Sequence, residues 1–238
     1  MNFSACAADG NNYRRKSGWR AMWPAGLVAL AMAMSGCKSA PYHITQLQRS
    51  YRPNNIFAYP PKLPLTLQRV AVLPVMAEKS ADDLPEGCAE LTPVLCEQLI
   101  RTKKFEVVTV DPAGMRRITG RAGWTGTEEL SSDLLAYLRR EYGCDGVLFA
   151  ELTSYRAYAP LAVGWRLKLV DVRSGQIIWA ADELFDASQP AVAMAAQRFT
   201  DPTFTWPLEH RHTWLALNSP SQFGRYSAAA VAKTLPDR

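Results

Sequence analysis

The first regular pattern of apolar and polar positions in the chain consists of two apolar runs separated by an amphipathic segment. Residues 69–75, RVAVLPV, and residues 105–110, FEVVTV, are rich in β-branched side chains, which is typical of buried strands. Between them, residues 88–102 place apolar side chains at helical spacing, at Leu91, Leu95, Leu99 and Ile100. A strand, a helix and a strand in so few residues predict a parallel pair joined by a right-handed crossover. Pro93 should lie in the first turn of the helix, where proline is tolerated.

The next stretch predicts a loop followed by a second helix. Residues 111–127 contain four glycines and have no apolar period. They predict a mobile loop with three exposed side chains, Met115, Ile118 and Trp124. Residues 128–142 then carry leucines on one face of a helix, at positions 130, 134, 135 and 138, and Gly143 follows its end.

Three strands are predicted next, over residues 146–155, 163–172 and 176–185. In the middle strand Trp165, Leu167 and Leu169 alternate with other residues, which is typical of a strand with one covered face. The last two strands are joined by Arg173-Ser174-Gly175, where glycine allows the positive φ of a short hairpin loop. These strands therefore predict an antiparallel meander.

Two further helices complete the predicted fold, over residues 190–199 and 221–235, and the second has small side chains that can pack closely on the sheet. An aromatic loop with Trp206 and Trp214 lies between them. The whole pattern predicts an α/β fold with α+β character. Its mixed sheet begins with a β-α-β unit, continues after a second helix as an antiparallel three-strand meander, and has helices packed on it.

Before the first strand, residues 38–67 are rich in proline and show no sustained period. Proline-rich polar sequence stays extended and resists packing, so this segment is either a plain spacer or a strap laid over the domain. Its interspersed aromatic residues suggest that part of it docks, namely Tyr42, Tyr51, Phe57 and Tyr59. The two alternatives stay open at this point.

An apolar run from Trp23 to Cys37 follows a cluster of cations and is short for a permanent membrane-spanning helix, which is typical of a secretory signal peptide. Its end, Met34-Ser35-Gly36-Cys37, resembles the bacterial lipobox, in which the cysteine is acylated and becomes the mature N-terminus. The alternatives are an ordinary cleaved signal or an uncleaved anchor, in which Cys37 has no role. Lys38 stands where an Asp would resemble the inner-membrane retention signal, so the outer membrane is expected.

The predicted organisation is a lipoprotein signal peptide over residues 1–36, a lipidated Cys37 with a proline-rich tether to residue 67, and a single periplasmic α/β domain over residues 68–238. Removing residues 1–36 lowers the formal net charge from +5 to +2, because four cations and one carboxylate leave with the signal. A nearly neutral domain argues against nucleic acid as a partner.

Three cysteines remain in the domain, Cys88, Cys96 and Cys144. On one helix Cys88 and Cys96 would be about 12 Å apart along the axis, beyond the reach of a disulfide. A bridge between Cys88 and Cys144 is conceivable, but the preferred interpretation is three small buried apolar residues.

The sequence offers few residues for catalysis. His210 and His212 are two potential metal ligands without a third, so no metal site is expected. No nucleophile motif and no phosphate-binding glycine loop follows the first strand. We therefore expect no enzyme activity, no cofactor and no small-molecule substrate.

Several motifs together resemble a known group of envelope proteins. They are VAVLPV, KFEVVTVDP, EYGCDGVLFAEL and WRLKLVDVRSGQIIWA, all between Arg69 and Phe185. They are similar to the domain shared by the curli-secretion channel (CsgG-like) lipoproteins and the lipoprotein activators of penicillin-binding proteins (LpoB-like). The matching residues are fold markers, and Asp171 should accept hydrogen bonds from the hairpin backbone. The link RAYAPLA, residues 156–162, is too short for the membrane-crossing hairpins of the curli channels.

The resemblance implies an outer-membrane lipoprotein whose non-catalytic domain binds protein in cell-envelope assembly or regulation. The membrane would be reached through the acylated Cys37, and the partner would be an envelope protein or a second copy of the chain. Candidate partner-binding residues are the tryptophans of the two aromatic loops, Trp124, Trp206 and Trp214. The alternative is a subunit of an oligomeric envelope secretion complex that lacks its own membrane-spanning hairpins.

Overall fold

The sheet and its helices are known for four stretches of the chain, residues 51–78, 84–129, 131–202 and 215–238, described by a computed structural model. Within these stretches there are seven strands: β1 Ile56–Ala58, β2 Arg69–Val72, β3 Met76–Ala77, β4 Glu106–Thr109, β5 Gly146–Arg156, β6 Ala162–Asp171 and β7 Ile177–Asp186. There are six helices: α1 Leu84–Thr102, α2 Pro112–Thr119, α3 Ser132–Tyr142, α4 Pro190–Thr200, α5 Leu215–Asn218 and α6 Pro220–Ala232. None of these helices combines the length and the apolar character that a membrane crossing requires.

The strands form one mixed sheet in the order β1-β7-β6-β5-β2-β4, and β3 extends it by pairing with β5. β2 is parallel to β4, as the β-α-β pattern predicted, and it is also parallel to β5. β5, β6 and β7 form an antiparallel meander, and β1 is antiparallel to β7 at the edge. The predicted α/β fold with α+β character is confirmed.

Helices cover both faces of the sheet because side chains alternate along its strands. Val70 and Val72 belong to a first core on the side of α1, α4 and α6. Ala71 belongs to a second, smaller core on the side of α2 and α3. The predicted covered face of β6 is confirmed, since Trp165, Leu167 and Leu169 are all buried in the first core.

The hairpin between β6 and β7 has the predicted construction. Asp171 accepts hydrogen bonds from the backbone N–H groups of Arg173 and Ser174, each 2.8 Å long. Gly175 has a φ of 67°, in the left-handed region that favours glycine. The carboxylate therefore satisfies two backbone donors that the turn leaves unpaired.

The loop prediction for residues 111–127 is wrong for residues 112–119, where α2 forms, and holds for residues 120–127, which contain no helix or strand. The Asp111 side chain caps this helix by accepting from Gly114 N at 2.7 Å, Pro112 opens it, and Gly120 ends it at a φ of 73°. Met115, expected to be exposed, is fully buried in the second core, and Ile118 packs against that core. A helix of about two turns is anchored by these two apolar contacts alone, too few to give a helical period. Its capping residues were therefore the feature of the sequence that could have predicted it.

The first helix is longer than predicted, and this changes the position of its proline. α1 begins at Leu84, so Pro93 lies in its interior and the first-turn prediction is wrong. Pro93 is exposed, as is Ala89 one turn earlier, so water can reach the carbonyl that loses its helical donor. Ile100 is also exposed, because it lies about 100° around the helix from Leu99, outside the buried stripe.

The segment before β2 is a strap over residues 51–67. Three of its residues pair with β7, and Tyr59 N–H donates to Ile178 O at 2.9 Å. Leu63 and Leu67 are buried in the first core, and Leu63 N–H donates to Asp237 O at 2.8 Å. For these residues the docked alternative holds and the plain spacer does not.

The three cysteines of the domain are free and buried, as predicted. Burial raises the pKa of the Cys88 thiol to about 11 and also raises the pKa of Cys96 and Cys144. A thiol that stays protonated is a poor nucleophile, so these side chains serve as core residues.

Candidate functional site

The outer face of the strap presents two large aromatic side chains to solvent. Phe57 is 51% exposed and Tyr59 is 71% exposed. Neighbouring residues of an extended strand point to opposite sides, so Ile56 packs on the first core while Phe57 faces outward. Of the strap aromatic residues that suggested docking, Tyr51 packs on the first core, whereas Phe57 and Tyr59 face solvent.

These side chains border an open depression of about 630 Å³, the strap groove. One wall consists of Phe57, Tyr59, Pro60 and Pro64, and the other consists of the β6–β7 hairpin with Ile177. Ile177 is itself part-exposed. The strap groove is therefore a mainly apolar surface built by two segments that lie far apart in the sequence.

Backbone and side-chain contacts hold the strap in place on both sides of its aromatic residues. The Tyr51 hydroxyl donates to the carboxylate of Glu183, a buried residue of β7. The same carboxylate accepts from the backbone N–H groups of Asn54 and Asn55, at 3.2 Å each. Three donors and burial fix this carboxylate, so the groove is formed before any partner arrives.

The chemistry of the strap groove suits binding. Its one carboxylate, Asp171, already accepts from the hairpin backbone, and no lysine, arginine, histidine or cysteine lines it. Apolar and aromatic side chains with few competing charges are typical of the central part of a protein interface.

The free edges of the sheet offer less room for a partner strand. β1 has three paired residues and lies between Pro53 and Pro60, which cannot donate backbone hydrogen bonds. β4 forms the other edge over four residues, and Pro112 follows three residues after its last residue, Thr109. Short edges limit strand addition, so side chains of the strap are the stronger candidate for recognition.

The predicted tryptophans are placed only in part. Trp124 is half-buried against the second core, and the guanidinium of Arg121 lies 4.8 Å from the centre of its ring. Its indole nitrogen is buried and makes no hydrogen bond within the described stretches. Trp206 and Trp214 lie outside the described residues, as do Cys37, His210 and His212, so their predicted roles stay predictions.

An ion cluster lies on the sheet face opposite to the first core. Arg166 Nε donates to Asp182 at 2.9 Å, and one of its terminal nitrogens is 3.3 Å from Glu78 and 3.6 Å from Glu151. Glu151 is 4% exposed. Burial raises the pKa of this carboxyl group, and Arg166 opposes the shift. The sequence gives no sign of this burial, since Glu151 stands in an ordinary apolar strand.

No protein-family model and no curated protein sequence matches this chain. Solved structures similar to it include the PelC dodecamer from Paraburkholderia phytofirmans, with 13% identity over 77% of this chain and 96% of that chain and a TM-score of 0.45. Lipoprotein GNA1162 from Neisseria meningitidis has 14% identity over 57% and 99% and a TM-score of 0.34. E. coli LpoB has 17% identity over 48% and 54% and a TM-score of 0.36. Lipoproteins are thus among the structures to which this chain is similar.

Proposed function

We propose that this protein is an outer-membrane-anchored lipoprotein whose domain binds another envelope protein through the strap groove and does so without catalysis, in cell-envelope assembly or regulation. The observation that carries the proposal is the exposure of Phe57 and Tyr59 on a strap that is fixed at both ends. Large aromatic side chains on a preformed surface lose little conformational freedom on binding, so they stabilise complexes efficiently.

The strap also determines where the groove can act. Cys37, the expected acylation site, precedes Tyr51 by about 14 residues, and a fully extended chain of that length reaches about 50 Å at most. The groove would therefore meet partners close to the inner face of the outer membrane. The lipid supplies the location, and the aromatic residues supply the recognition.

The same surface favours a second candidate function, self-association into an oligomeric envelope secretion complex. An exposed apolar groove can be covered by a second copy of the chain as well as by a different protein. The two candidates differ in the mass of the complex that the groove forms.

Photo-crosslinking in intact cells tests the proposal. We expect p-benzoylphenylalanine in place of Tyr59 to crosslink to a different protein, giving a product whose mass is not a multiple of the chain's own mass. The matched control is the same replacement at Tyr158, an aromatic residue 68% exposed on the β5–β6 connection, away from the strap groove. Products at multiples of the chain mass would instead support the oligomeric candidate.

A substitution in the groove completes the test. Phe57→Ser should abolish the product formed from position 59, and it should change the free energy of unfolding by less than about 1 kcal/mol because half of the ring is already in water. Equal crosslinking from positions 59 and 158, or a product that survives Phe57→Ser, would count against the strap groove as the binding surface.

A further inference from the structure

A second depression lies where the start of the strap meets the ends of α4 and α6. It measures about 570 Å³, within the range typical of small-molecule sites. Its apolar walls include the rings of Tyr51, Phe199 and Tyr226 and the side chain of Pro53. We refer to it as the cationic groove, because three cationic side chains also line it.

Three cations line the cationic groove, Arg52, Arg198 and Lys233. In the part of the chain that the structure describes, none of them forms an ion pair with a carboxylate, although ten such pairs occur elsewhere in that part. Arg198 is also half-buried. Like charges that share a depression repel one another, so an anion in the groove would relieve that repulsion.

Tyr226, which lines the cationic groove, has a buried hydroxyl group without a hydrogen-bond partner in the described part of the chain. Tyr226 is 4% exposed, and its hydroxyl makes no hydrogen bond with the described residues. Burial and the nearby charge of Glu183 raise the pKa of this phenol, so the group stays protonated and can donate. The Glu183 carboxylate is already engaged by Tyr51, Asn54 and Asn55. An unsatisfied buried donor is costly, which indicates that an acceptor belongs in the groove.

We propose that the cationic groove binds a phosphate monoester carried on a small apolar body. The phosphate would pair with Arg52, Arg198 and Lys233 and accept a hydrogen bond from Tyr226, while the apolar body packs against Tyr51 and Phe199. The three cations outnumber the one to two negative charges of a phosphate monoester, so they can neutralise it fully, and arginine suits its oxygens because a guanidinium donates two parallel hydrogen bonds. This site is separate from the strap groove and does not depend on the proposed function.

A phosphate monoester with an apolar body has two sources, a soluble phosphate ester or the headgroup of phosphatidic acid. The test is isothermal titration calorimetry on the full chain in a non-ionic detergent. One arm uses phenyl phosphate and the other uses dihexanoyl phosphatidic acid, with inorganic phosphate and phenol as the separated halves of phenyl phosphate. We expect each ester to bind at least about tenfold more tightly than inorganic phosphate, and phenol not to bind.

Substitutions locate the site. Arg198→Gln and Lys233→Gln should each weaken ester binding by about tenfold, and Tyr226→Phe by about threefold, as expected for the loss of one charged or one neutral hydrogen bond. The matched control is Arg116→Gln, an exposed arginine of α2 without a described ion pair, which should change the affinity by less than about twofold.

Tighter binding of phenyl phosphate identifies a soluble ester, and tighter binding of the phosphatidic acid identifies a lipid headgroup. Either result supports the proposed chemistry. The proposal is overturned if neither ester binds the wild-type chain, or if Arg198→Gln and Lys233→Gln bind as tightly as Arg116→Gln. Urea unfolding of Tyr226→Phe serves as a folding check, because a hydroxyl without a partner can be removed without loss of stability.

Discussion

A single buried carboxylate shows how one residue can make the stability of this domain depend on pH. Glu151 lies next to Arg166, which it shares with Asp182 and Glu78. Desolvation disfavours the charged form, so the pKa of Glu151 in the folded chain lies above its ordinary value of 4.5. The folded state therefore retains a proton that the unfolded chain releases as the pH rises above 4.5.

The expected consequence is a measurable pH slope. From pH 4.5 up through the raised pKa of Glu151, the free energy of unfolding should fall as the pH increases, and Glu151→Gln should make this fall smaller. Urea denaturation of both proteins at several pH values measures the slope. Glu129→Gln, at an exposed glutamate, is the control and should keep the wild-type slope. Parallel curves for wild type and Glu151→Gln would refute the effect.

At the level of secondary-structure elements, one close contact between two helices of the first core depends on a glycine. α1 and α6 cross at Gly224, where an added Cβ atom would lie 2.3 Å from Cδ2 of Leu91. Leu91 is fully buried, so it has little room to give way. The small face that the sequence predicted for the last helix is thus what allows the two helices to approach.

Gly224→Ala should accordingly destabilise the domain. Overpacking of a filled core costs about 1–3 kcal/mol, and we expect the free energy of unfolding from chemical denaturation to fall by that amount. Gly126→Ala is a matched control, because its added Cβ would meet its nearest neighbour, Lys168 Cβ, at 3.5 Å, an ordinary contact. A loss of stability at Gly126 equal to that at Gly224 would mean that the close contact is not the cause.

For the molecule as a whole, the proposed function assigns folding and membrane location to different parts of the chain. The described cores are built from residues 51 onward, with helices on both faces of one sheet. The attachment expected at Cys37 precedes them, and two or more acyl chains hold a protein stably at a membrane where one holds it marginally. If Cys37 is acylated as proposed, one substitution should release the protein from the membrane without changing a core residue of the described part.

We expect Cys37→Ala to move the protein from the membrane fraction to the soluble fraction while its melting temperature stays within a few degrees of the wild-type value. Cell fractionation and thermal unfolding measure the two properties. Cys88→Ala controls for the loss of a thiol, because Cys88 is buried in the first core and this variant should remain membrane-bound. If Cys37→Ala sediments with the membranes as Cys88→Ala does, attachment does not depend on this thiol.

The amino-acid sequence alone predicts those elements whose buried positions follow a local apolar period or a turn motif. The parallel β2–β4 pair, the β5–β6–β7 meander and the hairpin at Asp171 follow from apolar periods and turn residues that need no distant partner. The absence of a disulfide between Cys88 and Cys96 follows from their spacing on one helix. The expected lipid site at Cys37 also belongs to the sequence, because it is a short linear motif.

Which side chains remain exposed and available for binding depends instead on the tertiary packing. α2 is held by two apolar contacts and its caps, and two apolar residues are too few to give a helical period in the sequence. The exposure of Phe57 and the burial of Glu151 depend on which neighbouring strand or helix covers each face. The strap groove joins residues near 57 to residues near 177, and the cationic groove joins Arg52 to Arg198 and Lys233. A surface made of such distant segments exists only after folding has brought them together. The sequence cannot predict it, because an apolar period indicates which face of one element is buried and not which other element covers that face.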